Sequence, residues 1–297
     1  MKLGLKVDVD TLRGTREGVP ALLRLLDRNR IRATFLFSLG PDHTGRAIRR
    51  ALRPGFLSKV SRTSVVSHYG VRTLMYGTLL PGPDIGRHCS AIMRSVRDAG
   101  HEVGIHSWDH VEWQDKVAGA NRGWTESQME LARARFEEVF GAAAQTHGAA
   151  GWQMNTAAFE LTETAGFDYS SDTRGEGPFL PVADGRVINC PQLPTTLPTL
   201  DELLGRDGIH ERTVVDSLMA LTVEPKSGAP VFTLHAELEG MKLEPVFARL
   251  LEGWRSQGYE AGPLRKIFED LDAGQLPRHV VREGEIAGRS GKLAVQG

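Results

Sequence analysis

The chain has 297 residues, of which 40% are hydrophobic and 25% charged, so it can bury a sizeable core in one large domain or two small ones. Its formal net charge of −1 gives no overall reason to expect nucleic acid or another strongly charged partner. Two cysteines, Cys89 and Cys190, are too few for a disulfide framework, which indicates a reducing compartment.

The N-terminal segment predicts a βαβ unit. The run LGLKVDV predicts a strand, REGVPALLRLLDRNR a helix with apolar residues at helical spacing, and ATFLFSL a second strand. Asp8 and Asp10 interrupt the first apolar run, so we expect no signal peptide and a protein that stays in the cytoplasm. The longest stretch without Asp, Glu, Lys or Arg, residues 141–159, contains Gly, Gln, Asn, Thr and His, so we also expect no transmembrane helix.

Residues 41–90 form a basic insertion in an otherwise neutral chain. They contain two acidic residues, Asp42 and Asp84, against eight basic ones: Arg46, Arg49, Arg50, Arg53, Lys59, Arg62, Arg72 and Arg87. The segment 46–53 predicts a short helix covered by arginines, and its candidates for contact with a membrane are Arg46, Arg49, Arg50 and Arg53. Two interpretations are open: a solvated helical hairpin packed over the core, or a platform for an anionic lipid surface.

Helices and strands alternate through the rest of the chain. In order, the pattern predicts a helix over 84–99, a strand in HEVGIH, helices in TESQMELARARFEEVFG and TAAFELTETAG, strands in FDYSS and RVINC, a helix in TVVDSLMALTV, a strand in PVFTLHAEL and a helix in EPVFARLLEGWRSQG. This alternation predicts an α/β fold, with a parallel sheet that is open or closed into a barrel. We expect a single domain over 1–270 and an extension over 271–297 with a flexible, glycine-rich tail.

Four of the predicted strands end in ionisable residues. In chain order these are Asp8 with Asp10, His106 with His110, Asp172, and His235. Asp8 and Asp10 lie two residues apart, so the period of a strand points both carboxylates the same way. Because the carboxyl ends of barrel strands meet at one rim, we expect all these side chains to converge there. Carboxylates and imidazoles together on one rim predict a metal site.

The chain resembles the polysaccharide deacetylase superfamily, or NodB homology domain, whose members remove acyl groups from amide nitrogens of sugars. The first family motif is an acidic pair, matched by VDVDT at 7–11, and the second is His-Ser/Thr-x-x-His, matched by HSWDH at 106–110. The resemblance covers roughly 1–40 and 90–260, and it implies a distorted (β/α) barrel with the basic insertion between the two motifs. Within the superfamily, KVDVDT, EVGIHSWDHVEWQD, AAGWQMN, YSSDTRG and FTLHAELEG resemble deformylases of 4-deoxy-4-formamido-L-arabinose-phosphoundecaprenol.

The resemblance implies a role for each matched residue. Asp10, His106 and His110 would be the ligands of one divalent metal ion, with zinc favoured by the ligand types and cobalt, manganese or iron as alternatives. Asp8 would act as the general base on the attacking water. His235 would act as the general acid that protonates the leaving sugar amine.

The third family motif, Arg-x-Pro, has no match, because HGAAGW stands at 147–152. The arginine that orients the base in other members is therefore missing, and we expect Arg174, with Asp172 as its partner, to take its place. The backbone N–H groups of Gly151 and Trp152 are candidates for binding the oxyanion. Trp108, between the two histidines of the second motif, is a candidate wall of the acyl pocket.

The resemblance implies a hydrolase that converts the formamido sugar on undecaprenyl phosphate into the 4-amino sugar and formate. It also implies a place in lipid A modification, with resistance to polymyxin and cationic antimicrobial peptides, and peripheral binding to the anionic cytoplasmic face of the bacterial inner membrane. One alternative is an N-deacetylase of another amino sugar or of a peptidoglycan-type glycan. An alternative of another class is a metal-free barrel that binds glycolipid without chemistry.

Overall fold

A curled, seven-stranded parallel sheet forms the centre of the molecule. The computed structural model describes residues 1–47, 71–224, 228–289 and 291–297. Within them the strands are β1 (Lys2–Val9), β2 (Thr34–Ser38), β3 (Glu102–Ser107), β4 (Thr146–His147), β5 (Tyr169–Ser170), β6 (Leu180–Ala183), β7 (Arg186–Val187), β8 (Val231–His235), β9 (Glu260–Gly262), β10 (Arg278–Gly284) and β11 (Leu293–Gln296). The central sheet has the order β5-β4-β3-β2-β1-β8, and β9 also pairs with β1. This arrangement confirms the predicted α/β fold with a distorted barrel.

Helices cover the outside of the sheet. Within the described residues they are α1 (Val19–Asn29), α2 (Val71–Met75), α3 (Ile85–Asp98), α4 (His110–Lys116), α5 (Arg122–Phe140), α6 (Thr156–Thr164), α7 (Leu200–Leu203), α8 (Val214–Thr222), α9 (Glu244–Ser256) and α10 (Leu264–Phe268). Helix α5 begins before the predicted capping box, because the Asn121 side chain accepts a hydrogen bond from the backbone of Trp124 and caps the helix there.

Strand β1 separates apolar and functional residues by the period of two. Leu3, Leu5, Val7 and Val9 are buried in the main hydrophobic core, where each contributes about 2 kcal/mol. The residues between them face the barrel interior. Gly4 lies there under α10, where a Cβ atom would come within 2.6 Å of Leu264. The same alternation therefore turns the side chains of Lys6 and Asp8 towards the barrel interior, on the same face of β1 as Gly4.

The two ends of the basic insertion meet. The backbone N–H of Asp42 donates to Pro83 O (2.9 Å), and Arg46 Nε donates to Gly77 O (3.1 Å). Val71 and Leu79 in this region are 66% and 79% exposed. The other three membrane candidates, Arg49, Arg50 and Arg53, lie outside the described residues, as does most of the short helix predicted over 46–53.

The C-terminal residues, for which we expect a flexible tail, include two strands. Strand β10 runs parallel to β6, and β11 pairs with β10 in a second sheet of order β11-β10-β6-β7. Leu293 and Ala294 are buried, and Arg174 exchanges backbone hydrogen bonds with Ala294 and Gln296. The last strand thus forms hydrogen bonds with residues, and covers apolar surface, that lie far away along the chain.

Among the described residues, no helix is long and apolar enough to cross a membrane.

The pairing of β11 makes a testable prediction about stability. We expect Leu293→Ala to lower the free energy of unfolding by about 2 to 3 kcal/mol, because Leu293 is 3% exposed and its removal leaves a cavity. The matched control is Val280→Ala in β10, where the side chain is 50% exposed and the expected loss is under about 0.5 kcal/mol. Urea-induced unfolding measures both. Equal, small losses in both variants would contradict the burial of Leu293 and support the flexible tail.

Candidate metal centre

The carboxyl ends of β1, β3 and β8 bring the predicted acidic and histidine residues together. Asp8 lies near the end of β1, paired in register with His235 of β8, and Asp10 follows one residue after the strand. His106 lies near the end of β3, and His110 is the first residue of α4, which Asp109 caps by accepting from Glu112 N. The spacing of the two histidines thus comes from a strand followed by a capped helix.

Asp10 lies between the two histidines of the second motif. Its Oδ1 is 3.2 Å from His106 Nε2 and its Oδ2 is 3.4 Å from His110 Nε2, and the two imidazole rings have centroids 5.3 Å apart. One ligand atom from each of the three residues lies within 4.8 Å of the others. The side chain of His106 is 1% exposed and that of His110 is 18% exposed, so the cluster opens towards solvent at His110.

The hydrogen bonding of His106 fixes its tautomer. His106 Nδ1 is 2.6 Å from the carbonyl oxygen of Gly148, which can only accept, so Nδ1 carries the proton. In the neutral ring, Nε2 then presents a lone pair to Asp10 Oδ1, a buried oxygen without a hydrogen-bond partner among the described residues. Two acceptors that face each other at this distance require a shared cation or a proton. The donor set therefore fits a divalent metal ion.

Electrostatics in the cluster favour a cation. Burial alone would raise the pKa of Asp10, but His110 and His106 hold the pKa of that carboxyl well below its usual range. Burial would lower the pKa of His106, but Asp8 and Asp10 more than offset it, and the pKa is raised. The raised pKa of His106 reports the negative potential of the two carboxylates, which also favours a metal ion there, and the lowered pKa of Asp10 reports the positive charge of the imidazoles.

Asp8 and His235 each have a charged neighbour. Asp8 Oδ2 is 3.4 Å from Lys6 Nζ, and both side chains are buried. Burial lowers the pKa of Lys6, while Asp8 and Asp172 act in the opposite direction. His235 Nδ1 lies 4.0 Å from Asp201 Oδ1, and its backbone N–H donates to Glu239 Oε2 (2.8 Å).

Sequence reasoning missed Glu237, which holds the end of β1 in place. Its Oε1 accepts from the backbone N–H groups of Asp10 (3.1 Å) and Thr11 (2.9 Å) and from the Thr11 hydroxyl (2.8 Å). Burial and the nearby Asp10 carboxylate raise the pKa of Glu237 well above its usual value, which favours its protonated form. The signal in the sequence is HAELEG, where two glutamates follow His235 directly after a buried strand.

The expected pair of Asp172 with Arg174 is wrong. Asp172 accepts hydrogen bonds from His147 Nδ1 (2.7 Å), the backbone N–H of Ala149 (2.8 Å) and Gln192 Nε2 (3.0 Å). His147 was also missed, although it ends β4 as His235 ends β8.

Arg174 instead pairs with Glu202 and donates to the carbonyl oxygens of Thr195 (3.2 Å) and Leu197 (3.1 Å). Its guanidinium also lies over the Trp152 ring. Arg289, from the C-terminal extension, lies over the same ring and pairs with Asp201 and Glu202. The extension therefore contributes to the surroundings of His235 through Asp201.

The turn after β4 corrects part of the expected oxyanion site. The backbone N–H of Trp152 donates to Ala149 O (3.0 Å), so this group is already bonded within a 3-10 turn. Gly151 has φ of 63°, a left-handed conformation that glycine adopts without the strain that a side chain would bring. The N–H of Gly151 stays a candidate for the oxyanion.

Trp108 lies beside the strand ends, on the side that faces α5. A Cβ atom on Gly40 would overlap its ring, and the guanidinium of Arg135 lies 5.3 Å from the ring centroid. Its role as a wall of the acyl pocket stays a prediction.

A second group of residues has metal-ligand spacing: His43, Asp109 and Glu112. Its carboxylates already have partners within the protein. Asp109 accepts hydrogen bonds from His43 and from the backbone N–H of Glu112, and Glu112 forms an ion pair with Lys116.

Comparison with known proteins identifies relatives of this chain. The polysaccharide deacetylase family model matches residues 6–170. A protein of Shewanella sediminis, named as a probable 4-deoxy-4-formamido-L-arabinose-phosphoundecaprenol deformylase ArnD, is 39% identical over 99% of this chain and 94% of its own length. A protein of the same name from Wigglesworthia glossinidia brevipalpis is 30% identical over 95% of this chain and 98% of its own. A crystal structure of a Mycobacterium smegmatis protein described as a polysaccharide deacetylase shares the fold, with a TM-score of 0.60, 16% identity and 96% coverage of both chains.

The hydrogen bonds of Asp172 predict how stability depends on pH. Burial opposes its ionisation, but His147 and the other donors lower the pKa of Asp172 below its usual range, so the ionised form stabilises the fold. That contribution is complete above the unfolded-state pKa of about 3.9 and is lost as the pH falls through the folded-state value. We expect Asp172→Asn to cost about 2 kcal/mol at neutral pH. Urea unfolding should show this difference shrinking in acid, and a difference that did not change with pH would contradict the assignment.

Proposed function

This chain belongs to the polysaccharide deacetylase family, and on that premise we propose that it is a metal-dependent hydrolase that deformylates 4-deoxy-4-formamido-L-arabinose-phosphoundecaprenol. The products are the 4-amino-4-deoxy sugar on the same lipid carrier and formate. The observation that carries the proposal is the 39% identity, over nearly the whole chain, to a relative named for this reaction. The family's acidic pair and histidine pair also meet in one buried cluster.

The ligand set is the first part of the proposal. A divalent cation held by Asp10, His106 and His110 would supply Lewis acidity to the formyl oxygen and to a water molecule. Gly148 O supports this set by holding the proton of His106 on Nδ1, and Glu237 supports it by holding the backbone of Asp10. Zinc suits these ligand types, with cobalt, manganese and iron as the alternatives.

The acid and base are the second part. Asp8 takes a proton from the attacking water, and His235 gives a proton to the amine nitrogen as the C–N bond breaks. The register of β1 with β8 supports this division, because Asp8 and His235 are paired neighbours at the same height of the barrel. Asp201 Oδ1 lies 4.0 Å from His235 Nδ1 and gives the imidazole a carboxylate neighbour.

The lipid carrier gives the third part, which is peripheral binding at the cytoplasmic face of the inner membrane. An undecaprenyl chain lies in the bilayer, so the enzyme must approach a lipid surface to reach the sugar. The basic insertion supports this placement, since each Lys or Arg near an anionic leaflet contributes about 1 kcal/mol. The exposed Val71 and Leu79 add apolar surface in the same region. We place the reaction in lipid A modification and in resistance to polymyxin and cationic antimicrobial peptides.

The reaction is tested directly by mass spectrometry. We expect the zinc-loaded protein to convert undecaprenyl-linked formamido-arabinose to a product lighter by one CO unit and to release formate, and we expect a chelator to stop both. Asp8→Ala and His106→Ala should each lower kcat at least about 100-fold, because they remove the base and a ligand. His106→Ala should also lose bound zinc.

The controls for this experiment are Asp98→Ala and His88→Ala, which change the same residue types at exposed positions. Both should keep wild-type turnover. Full activity with the chelator present would overturn the metal-dependent reaction. Preference for an N-acetyl substrate, with release of acetate, would favour the deacetylase instead. Binding of glycolipid without metal or turnover would favour the binding barrel.

Membrane attachment is tested by sedimentation with vesicles. At low salt we expect the protein to bind vesicles that contain anionic phospholipid, and we expect binding to weaken as salt rises. Changing Arg49, Arg50 and Arg53 to Glu should abolish most of this binding. The matched control is a triple change to Glu at three arginines outside the insertion, Arg133, Arg212 and Arg255. This variant should still bind the vesicles. Equal loss in both triple variants would mean that total charge, and not the insertion, decides binding.

A further inference from the structure

Lys6 is a buried cation in the barrel interior that the reaction has not yet used. Its side chain is fully buried. Burial of an ammonium group costs several kcal/mol unless partners compensate for the lost water. Lys6 Nζ donates to Ser171 O (3.0 Å), lies 3.4 Å from Asp8 Oδ2 and lies 5.1 Å from the centroid of the Trp152 ring. These contacts offset part of the cost of its burial, and one of them is with the candidate base.

We propose that Lys6 is the positioning residue for Asp8, in the place of the arginine that the third family motif would provide. This inference rests on the proposed function, since it concerns the base of that reaction. Arg174 cannot take this role, because Glu202 and two backbone carbonyl oxygens already bind its guanidinium. Lys6 is also unsuited to contact substrate, because none of its side chain reaches solvent.

The geometry gives the two oxygens of Asp8 different environments. Oδ2 faces the ammonium of Lys6, which fixes that side of the carboxylate. Oδ1 is 3.8 Å from His106 Nδ1, but the proton on Nδ1 is directed to Gly148 O, and Oδ1 has no hydrogen-bond partner among the described residues. One oxygen is therefore held and the other can accept a proton from water.

Lys6 also connects Asp8 to the loop after β4. Its hydrogen bond to Ser171 O joins β1 to the residue before Asp172, and Asp172 binds the backbone of Ala149. Removal of the ammonium would therefore leave the Asp8 carboxylate without its neighbour and would break the hydrogen bond to Ser171 O. The ligand cluster of Asp10 with the two histidines makes no contact with Lys6 among the interactions described above, so it should survive the change.

Steady-state kinetics of Lys6→Met and Lys6→Arg test this role. Lys6→Met keeps most of the buried volume and removes the charge, and we expect kcat to fall about 10- to 100-fold. KM should stay within about threefold, because substrate does not touch Lys6. Lys6→Arg keeps a cation that can reach Asp8, and we expect it to recover most of the lost kcat. In an Asp8→Asn background, Lys6→Met should cause no further loss, because it acts through Asp8.

Zinc affinity, measured by calorimetry, separates positioning from structural damage. We expect Lys6→Met to bind Zn²⁺ at least as tightly as wild type, since a repelling cation has been removed near the site. An unchanged kcat in Lys6→Met, or a further loss in the Asp8→Asn background, would overturn the role of Lys6 alone. Weakened zinc binding together with lost turnover would also overturn it. A wild-type protein that binds zinc and releases no formate would overturn the proposed function first, and this role with it.

Discussion

The two buried carboxylates at the end of strand β1 need positive charge beside them, and the arrangement of the whole site depends on this requirement. Asp8 and Asp10 are 2% and 8% exposed, and unbalanced carboxylates at such positions would take up protons or weaken the fold. Lys6 balances Asp8 from inside the barrel, and the imidazoles of His106 and His110 lie against Asp10 at the rim. Because the sheet is parallel, strands β1, β3 and β8 all have their carboxyl ends at the same rim of the barrel.

The features that could be predicted from the sequence depend on local pattern. The period of two in LGLKVDVD predicted both the buried strand and the shared direction of Asp8 and Asp10. The alternation of strands and helices predicted the barrel, and the rule that strand ends meet at one rim predicted that His106 and His235 would join the acids. These inferences need only spacing and the chirality of the fold. The family resemblance then assigned roles that spacing alone leaves open.

The features that were missed depend on contacts between distant parts of the chain. Arg174 could have paired with several acids, and only the folded chain shows that Glu202 lies beside it while Asp172 turns to His147. The extension has a polar composition that predicts no strand, and the pairing of β11 with β10 and with the backbone of Arg174 depends on residues far away along the chain. The short strand β6 is likewise defined by its partners, β7 and β10, since its sequence has no strong pattern of its own.

The hydrogen bonds that Glu237 accepts from Asp10 and Thr11 join distant parts of the chain. The bonded residues lie 227 and 226 positions apart, so the end of β1 is held only when the residues that follow β8 are in place. Arg289 likewise joins the C-terminal extension to Asp201 and Glu202. The backbone at Asp10 is therefore fixed by the tertiary fold as a whole, and a chain cut just before Glu237 would lose that support with β1, β3 and β8 all still present.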